Sequence, residues 1–119
     1  MRLTATVLNA TDARRLAAFY SALLGWPVRA EEDGWVTLRD PAGGAALSFQ
    51  TEESYVRPVW PAAEGAQQMM THLDIACDDL AGAVARAVEL GATVAGHQPQ
   101  EHVRVCLDPD GHPFCLYVP

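Results

Sequence analysis

Two side chains that can carry acid–base chemistry stand close together in the stretch THLDI, where one residue separates His72 from Asp74. Residues two apart on a β-strand point to the same side, so the imidazole and the carboxylate are expected to face together. Because imidazole titrates near neutral pH, the pair can act as an acid–base couple or as two polar anchors for a ligand. A purely structural role stays open, with the histidine hydrogen-bonded inside a sheet. Between the two functional roles, we favour anchoring.

The sequence also offers a thiol at Cys115, but no neighbouring cation or helix amino terminus is evident that would activate it as a nucleophile. Cys77, Cys106 and Cys115 are odd in number and lack CxxC spacing, which predicts reduced, buried thiols of an intracellular protein. The chain contains no Ser-His-Asp signature and no glycine-rich phosphate loop. Nucleophilic hydrolysis and nucleotide chemistry are therefore not supported.

Composition limits the classes of partner. The chain has 119 residues, half of them hydrophobic, which suits one domain with one core. Its formal charge of −7 repels phosphate backbones and anionic lipid headgroups, so neither nucleic acid nor membrane is an expected partner. The start of the chain lacks a long apolar run, so we expect no signal peptide, no membrane span and a cytoplasmic location.

An internal repeat organises the chain. The phrase DP-x-G occurs at Asp40 and again, 68 residues later, at Asp108, and two other features recur at similar offsets. An acidic residue precedes each amphipathic stretch, at Asp12 and Asp79, and a glycine ends each one, at Gly25 and Gly91. These residues have distinct structural functions in capping helices and making turns, so they predict two copies of one structural unit. His112 then falls at a turn position, where the first copy has Gly44.

Periodicity gives each copy the order β-α-β-β-β. Threonine-rich and aliphatic runs predict the strands, and apolar residues at helical spacing predict one helix per copy. We expect module 1 at about 1–50, a linker at about 51–68 and module 2 at about 69–119, within a single domain. The fold class is α+β, a curved, partly closed mixed sheet around a cleft with the helices outside. The predicted strands are 4–8, 28–31, 34–40, 45–50, 70–77, 92–95, 102–108 and 114–118.

The phrases HLDI, FYSALLGW and DPDGHPFCLYV, in this arrangement, resemble the vicinal oxygen chelate superfamily, and within it the glyoxalase-like domain proteins. That superfamily includes glyoxalase I, extradiol dioxygenases and bleomycin-resistance proteins, so the resemblance is much more specific for fold than for function. Many relatives are dimers, and the resemblance therefore implies a homodimer.

The resemblance also implies where metal ligands would stand. Metal-using members place a ligand in the first and the last strand of each half, and these positions fall on Ala5, Leu47, His72 and Cys115. Ala5 and Leu47 carry no donor atom, whereas an open metal site needs three or more protein ligands. His72 and a Cys115 thiolate would need a further group, with Asp74 the nearest in sequence. We therefore expect no metal and no other cofactor.

The same correspondence implies which side chains line the cleft. The expected polar residues are His72, Asp74, Cys115 and Asn9. Aromatic rings in the wall would suit a planar organic ligand, although they can equally fill the space between the sheets. Alternate residues should face the helices and form the core, namely Leu8, Leu73, Ile75, Phe114 and Leu116. The expected apolar and aromatic lining is Val7, Leu47, Phe49, Tyr117 and Trp60, with Trp35 as a further candidate.

Three hypotheses about function follow. The leading one is a binding protein that holds a small, partly aromatic organic molecule in the cleft without a metal. The alternative is a lyase, isomerase or dioxygenase with a rearranged metal site or with acid–base chemistry at His72 and Asp74. A non-catalytic interaction module with a filled cleft is the third. The residues leave enzymatic activity open and favour a binder.

Overall fold

The computed structural model describes all 119 residues and divides them into two compact units, Met1–Tyr55 and Val56–Pro119. Each unit contains one helix and four strands in the predicted order β-α-β-β-β, which confirms the repeat. No helix of the chain has the length and apolar character needed to span a membrane. The elements are β1 Ala5–Ala10, α1 Ala13–Leu24, β2 Val28–Glu32, β3 Trp35–Leu38, β4 Ala46–Thr51, β5 Leu73–Ala76, α2 Leu80–Leu90, β6 Thr93–Val94, β7 Val103–Leu107 and β8 Pro113–Tyr117.

The strands form two four-stranded mixed sheets, ordered β1-β4-β3-β2 and β5-β8-β7-β6. The predicted α+β fold of two β-α-β-β-β modules is therefore confirmed, with one mixed sheet in each module. In each unit the first strand pairs in parallel with that unit's own last strand, and the remaining pairs are antiparallel. Each unit thus completes its own sheet by hydrogen bonding.

Helix α1 begins and ends where the sequence predicts. The Asp12 side chain accepts hydrogen bonds from the backbone N–H groups of Arg14 and Arg15, which otherwise lack partners at a helix start. At the other end Gly25 adopts a left-handed conformation, with φ of 70°, and its N–H donates to the Ser21 carbonyl. Helix α2 starts at Asp79 without a side-chain cap and ends at Gly91.

Each unit has its own core between helix and sheet. In the first unit the Tyr20 ring stacks on the Phe49 ring with centroids 5.5 Å apart, and Leu8 is buried on the same side of the sheet. In the second unit Phe114 and Leu116 are buried. Leu8, Phe114 and Leu116 are thus buried as predicted, whereas Leu73 and Ile75 are half-buried at the edge strand.

The repeated DP-x-G phrase makes the same turn twice. The Asp40 carboxylate accepts hydrogen bonds from the N–H groups of Ala42 and Gly44, at 2.8 and 3.1 Å. The Asp108 carboxylate accepts in the same way from Asp110 and His112, at 2.9 and 3.0 Å. An aspartate that binds its own following backbone pre-forms the tight turn into the last strand.

Most of the segment predicted as a linker, 51–68, lies in the second unit. The Arg57 guanidinium donates to the Pro109 carbonyl at 2.9 Å, and the Val59 N–H donates to the Gln67 carbonyl at 2.7 Å. These bonds place the segment beside the second DP-x-G turn.

Candidate functional site

His72, Asp74 and Cys115 lie together on the second sheet. Asp74 in β5 pairs in register with Cys115 in β8, so the two side chains leave the sheet on the same face. His72 directly precedes β5, and its Nε2 lies 3.4 Å from Asp74 Oδ1. One nitrogen, oxygen or sulfur atom from each residue falls within 4.8 Å of the others. The predicted shared direction of His72 and Asp74 is confirmed, and the cluster is a compact group of three titratable side chains.

The three side chains differ in exposure. The His72 and Asp74 side chains are 43 % and 62 % exposed, whereas Cys115 is half-buried. Burial raises the pKa of the Cys115 thiol, and the negative charge of Asp74 and its hydrogen bond to the thiol raise it further. The thiol is therefore protonated at neutral pH and acts as a hydrogen-bond donor to the carboxylate, as its apolar setting in the sequence indicates.

Tyr117 extends this face along β8. It pairs in register with Ala76, two positions beyond the Asp74–Cys115 pair, and its side chain is half-buried. The Tyr117 carbonyl accepts hydrogen bonds from the Cys77 backbone N–H and thiol, which fixes the end of the strand. An aromatic ring therefore stands on the same face as the three titratable groups.

On the first sheet the structure contradicts the predicted directions of Leu47 and Phe49. In register, Leu47 pairs with Thr6 and Phe49 pairs with Leu8, which places both on the side of α1. Leu47 is 5 % exposed and Phe49 is fully buried against Tyr20. Neither side chain lies on the face that carries Val7 and Asn9, so their assignment as cleft lining was wrong.

The reason is a difference in turn length. Asp40 precedes the first residue of β4, Ala46, by six positions, whereas Asp108 precedes the first residue of β8, Pro113, by five. The offset between the repeats is therefore 68 at the aspartates and 67 in the strands. Because side chains alternate along a strand, a shift of one residue moves every side chain to the other face.

The residue of β4 equivalent to Cys115 is Ser48, which the sequence reasoning missed. It pairs with Val7, as Cys115 pairs with Asp74. Its hydroxyl is 2.9 Å from the Thr37 hydroxyl, which accepts a hydrogen bond from the Trp35 indole at 2.9 Å. The hydroxyl and indole groups therefore form a ladder on the face away from α1. The signal in the sequence is the two-residue spacing of Trp35 and Thr37.

Two other predicted residues have contacts elsewhere in the second unit. The Trp60 ring lies 5.7 Å from the His97 ring, in the loop after β6, and its part in ligand binding stays a prediction. His112 Nδ1 lies 2.8 Å from Asp108 Oδ2, and Asp108 is 1 % exposed. His112 therefore holds the turn, in agreement with its predicted position.

A family sequence model for the glyoxalase-like domain matches residues 5–117, which is nearly the whole chain and both of its units. The chain belongs to the glyoxalase-like domain family. None of the curated proteins compared with it matches the sequence significantly.

Solved structures with low sequence identity share the fold of this glyoxalase-like chain. A glyoxalase/bleomycin resistance protein/dioxygenase family enzyme from Burkholderia phytofirmans PsJN is 17 % identical, with a TM-score of 0.76 over 98 % of this chain and 97 % of that one. A glyoxalase-related enzyme from Fulvimarina pelagi is also 17 % identical, with a TM-score of 0.72 over 100 % and 88 %. Oxidase ChaP-H2 is 20 % identical, with a TM-score of 0.68 over 100 % and 94 %.

The metal site of metal-using relatives does not fit the residues of this glyoxalase-like chain. Strand register makes Ala5 and Ser48 the counterparts of His72 and Cys115. The first unit therefore offers a methyl group and a hydroxyl that is bonded to Thr37, where such a site needs two ligands. The second unit offers three donors by itself, with one ligand atom from each within 4.8 Å of the others.

Proposed function

We propose that this protein binds a small, partly aromatic organic molecule without a resident metal ion. The His72–Asp74–Cys115 cluster on the second sheet carries the proposal, because it places accessible polar atoms beside the ring of Tyr117. The carboxylate of Asp74 accepts a hydrogen bond from a ligand hydroxyl or amine, and the imidazole of His72 donates or accepts a second one. Tyr117 contributes an aromatic surface against which a planar ligand can pack.

The protonated state of Cys115 supports binding over covalent chemistry. A neutral thiol is a weak nucleophile and a weak metal ligand, whereas it can donate to Asp74 and so hold the carboxylate in one orientation. The cluster then works as a fixed polar anchor. The exposure of His72 and Asp74 leaves their remaining hydrogen-bonding atoms accessible to a ligand.

The test combines metal analysis with a ligand screen. Protein purified without chelator is expected to contain far less than one equivalent of zinc, iron, nickel or manganese. A panel of aromatic acids, phenols and natural products is then screened by thermal stabilisation, because a ligand that binds only the folded state raises the melting temperature. Asp74→Ala and His72→Ala are expected to remove the stabilisation, and His102→Ala, an exposed histidine outside the cluster, is expected to retain it.

Two outcomes would count against the proposal. Near-stoichiometric metal that is lost in Cys115→Ala would mean that the cluster chelates an ion. Stabilisation that survives both Asp74→Ala and His72→Ala would place the ligand elsewhere.

The contact between His72 Nε2 and Asp74 Oδ1 favours one alternative, a metal-free acid–base catalyst of the lyase or isomerase type. A carboxylate beside an imidazole sets the orientation of the ring. His72→Gln separates the two functions, because glutamine preserves hydrogen bonding but cannot transfer a proton at neutral pH. A binder retains most of its affinity in this variant, whereas a catalyst binds substrate and loses turnover.

A further inference from the structure

A cleft of about 600 Å³ lies at one end of the first unit, whereas the His72–Asp74–Cys115 cluster belongs to the second unit. Three segments build it: the residues before β1, the second residue of β2, and the loop between β3 and β4. Its volume is in the range of small-molecule sites in proteins, roughly 300–1,000 Å³. The residues that matter for its chemistry are Arg2, Arg29, Arg39, Asp40 and Gly44.

Arginine is concentrated in this cleft. The chain has eight basic residues, all of them arginine, against a formal charge of −7, and three of the eight line this one cleft. Elsewhere the structure pairs arginine with carboxylates, as in Arg14–Glu31 at 2.7 Å and Arg86–Glu89 at 2.9 Å. The guanidinium groups in the cleft have no such ion pair.

The single carboxylate that lines the cleft does not neutralise them. Asp40 binds its own turn, with its two carboxylate oxygens accepting from the N–H groups of Ala42 and Gly44. A side-chain carbon at Gly44 would collide with that carboxylate, so glycine keeps this arrangement in place. The formal charge of the lining is therefore positive, in a chain that is otherwise acidic.

A β-bulge directs one of the arginines. Val28 pairs with Leu38 and Ala30 pairs with Thr37, so Arg29 is the extra residue of β2 at this point. A bulge bends the strand and re-aims the side chain of the extra residue, and bulges occur often beside binding sites. Arg39 directly follows β3, and its N–H donates to the Pro27 carbonyl at 3.0 Å, which holds the neighbouring backbone. Arg29 in β2 and Arg39 just after β3 are thus held on neighbouring, hydrogen-bonded segments.

We infer that this cleft is a second binding site, for a small anion that carries two or more negative charges on carboxylate or phosphate oxygens. The planar guanidinium group presents paired N–H donors that match the oxygens of both anions. Three cations without carboxylate partners repel one another, and a multivalent anion removes that repulsion. A ligand of this class would also be repelled by the rest of the acidic surface, so binding is confined to the cleft.

Isothermal titration calorimetry at low ionic strength tests the inference, with pyrophosphate and citrate as the two probes. Saturable binding of either probe supports the site, and the preferred probe identifies phosphate or carboxylate as the recognised group. Arg29→Gln and Arg39→Gln are each expected to weaken binding about tenfold, the effect of losing one charge-assisted contact. Arg86→Gln, which removes an equal charge from α2, is expected to bind as the unchanged protein does.

The inference would be overturned if neither probe showed saturable binding. It would also be overturned if Arg86→Gln lost as much affinity as Arg29→Gln and Arg39→Gln, because that result indicates only a non-specific effect of charge. Arg39→Lys adds a check on geometry: it keeps the charge but not the paired donors, so its affinity should fall between those of the unchanged protein and Arg39→Gln. His72→Ala is expected to leave anion binding unchanged, so this site and the proposed ligand site can fail separately.

Discussion

Replacing Phe49 by alanine gives the sharpest test of how the first sheet faces its helix. The ring is fully buried and stacks on Tyr20, so its removal leaves a cavity between α1 and β4. Truncation of a buried phenylalanine costs about 3–5 kcal/mol, a large part of the stability of a typical domain. With a urea dependence of about 2 kcal/mol per molar, the denaturation midpoint should fall by roughly 2 M. Urea unfolding followed by circular dichroism measures this shift.

Val7→Ala provides the matched control, because Val7 lies on the opposite face of the same sheet and is 42 % exposed. Its truncation should cost less than about 1 kcal/mol. Phe49→Leu should recover much of the loss by refilling the cavity. If Phe49→Ala cost no more than Val7→Ala, the ring could not be in the core, and the register that turns Phe49 towards α1 would be refuted.

Three further predictions concern ionisable groups. Burial is the main cause that raises the pKa of Cys106 from 9.0 to about 11. Between pH 9 and about pH 11 the unfolded chain therefore loses a proton that the folded chain keeps. The free energy of unfolding should fall by about 3 kcal/mol over this pH range. Denaturant titrations across that range measure the slope, and Cys106→Ala should reduce it. Asp74→Asn removes a charge that raises the pKa of Cys115, so alkylation of the Cys115 thiol should become faster near pH 8. Peptide mass spectrometry measures the alkylation rate. An unchanged rate would contradict the coupling between Asp74 and Cys115. Asp108→Ala leaves the N–H groups of the second DP-x-G turn without an acceptor and should lower the free energy of unfolding by roughly 3 kcal/mol. Asp40→Ala, in the exposed first copy of the turn, should lower it by about 1 kcal/mol. Equal losses of stability in thermal unfolding would contradict this prediction.

Much of the fold could be predicted because local residue chemistry determines it. Aspartate before an amphipathic run and glycine after it define a helix by capping, and Asp12 and Gly25 do so in the structure. The repeated DP-x-G phrase specifies a turn through the aspartate side chain, which binds the following backbone in both copies. These signals lie within a few residues of one another, so a single sequence contains them in full.

The facing of β4 could not be predicted in the same way. It depends on the number of residues between Asp40 and Ala46, and the sequence does not mark which residue of that turn is additional. Three of the six residues of β4 are apolar, and the run from Leu47 to Gln50 alternates apolar and polar side chains, which favours Leu47 and Phe49 on the core face. The assignment of Leu47 to the position of Cys115 used the offset of 68 residues instead, and the additional turn residue makes the offset 67 in the strands.

The two copies of the repeat have the same backbone but different chemistry at equivalent positions. The pair Asp74 and Cys115 in the second unit corresponds to Val7 and Ser48 in the first, so one copy carries two ionisable groups where the other carries an isopropyl group and a bonded hydroxyl. The ionisable groups of these two pairs therefore lie in the second unit alone. The first unit instead concentrates its charge at the end of the sheet, where a longer turn and a bulge on β2 make room for three arginines. The two copies therefore present different side chains on equivalent backbones, a titratable cluster in the second unit and three arginines at the end of the sheet in the first.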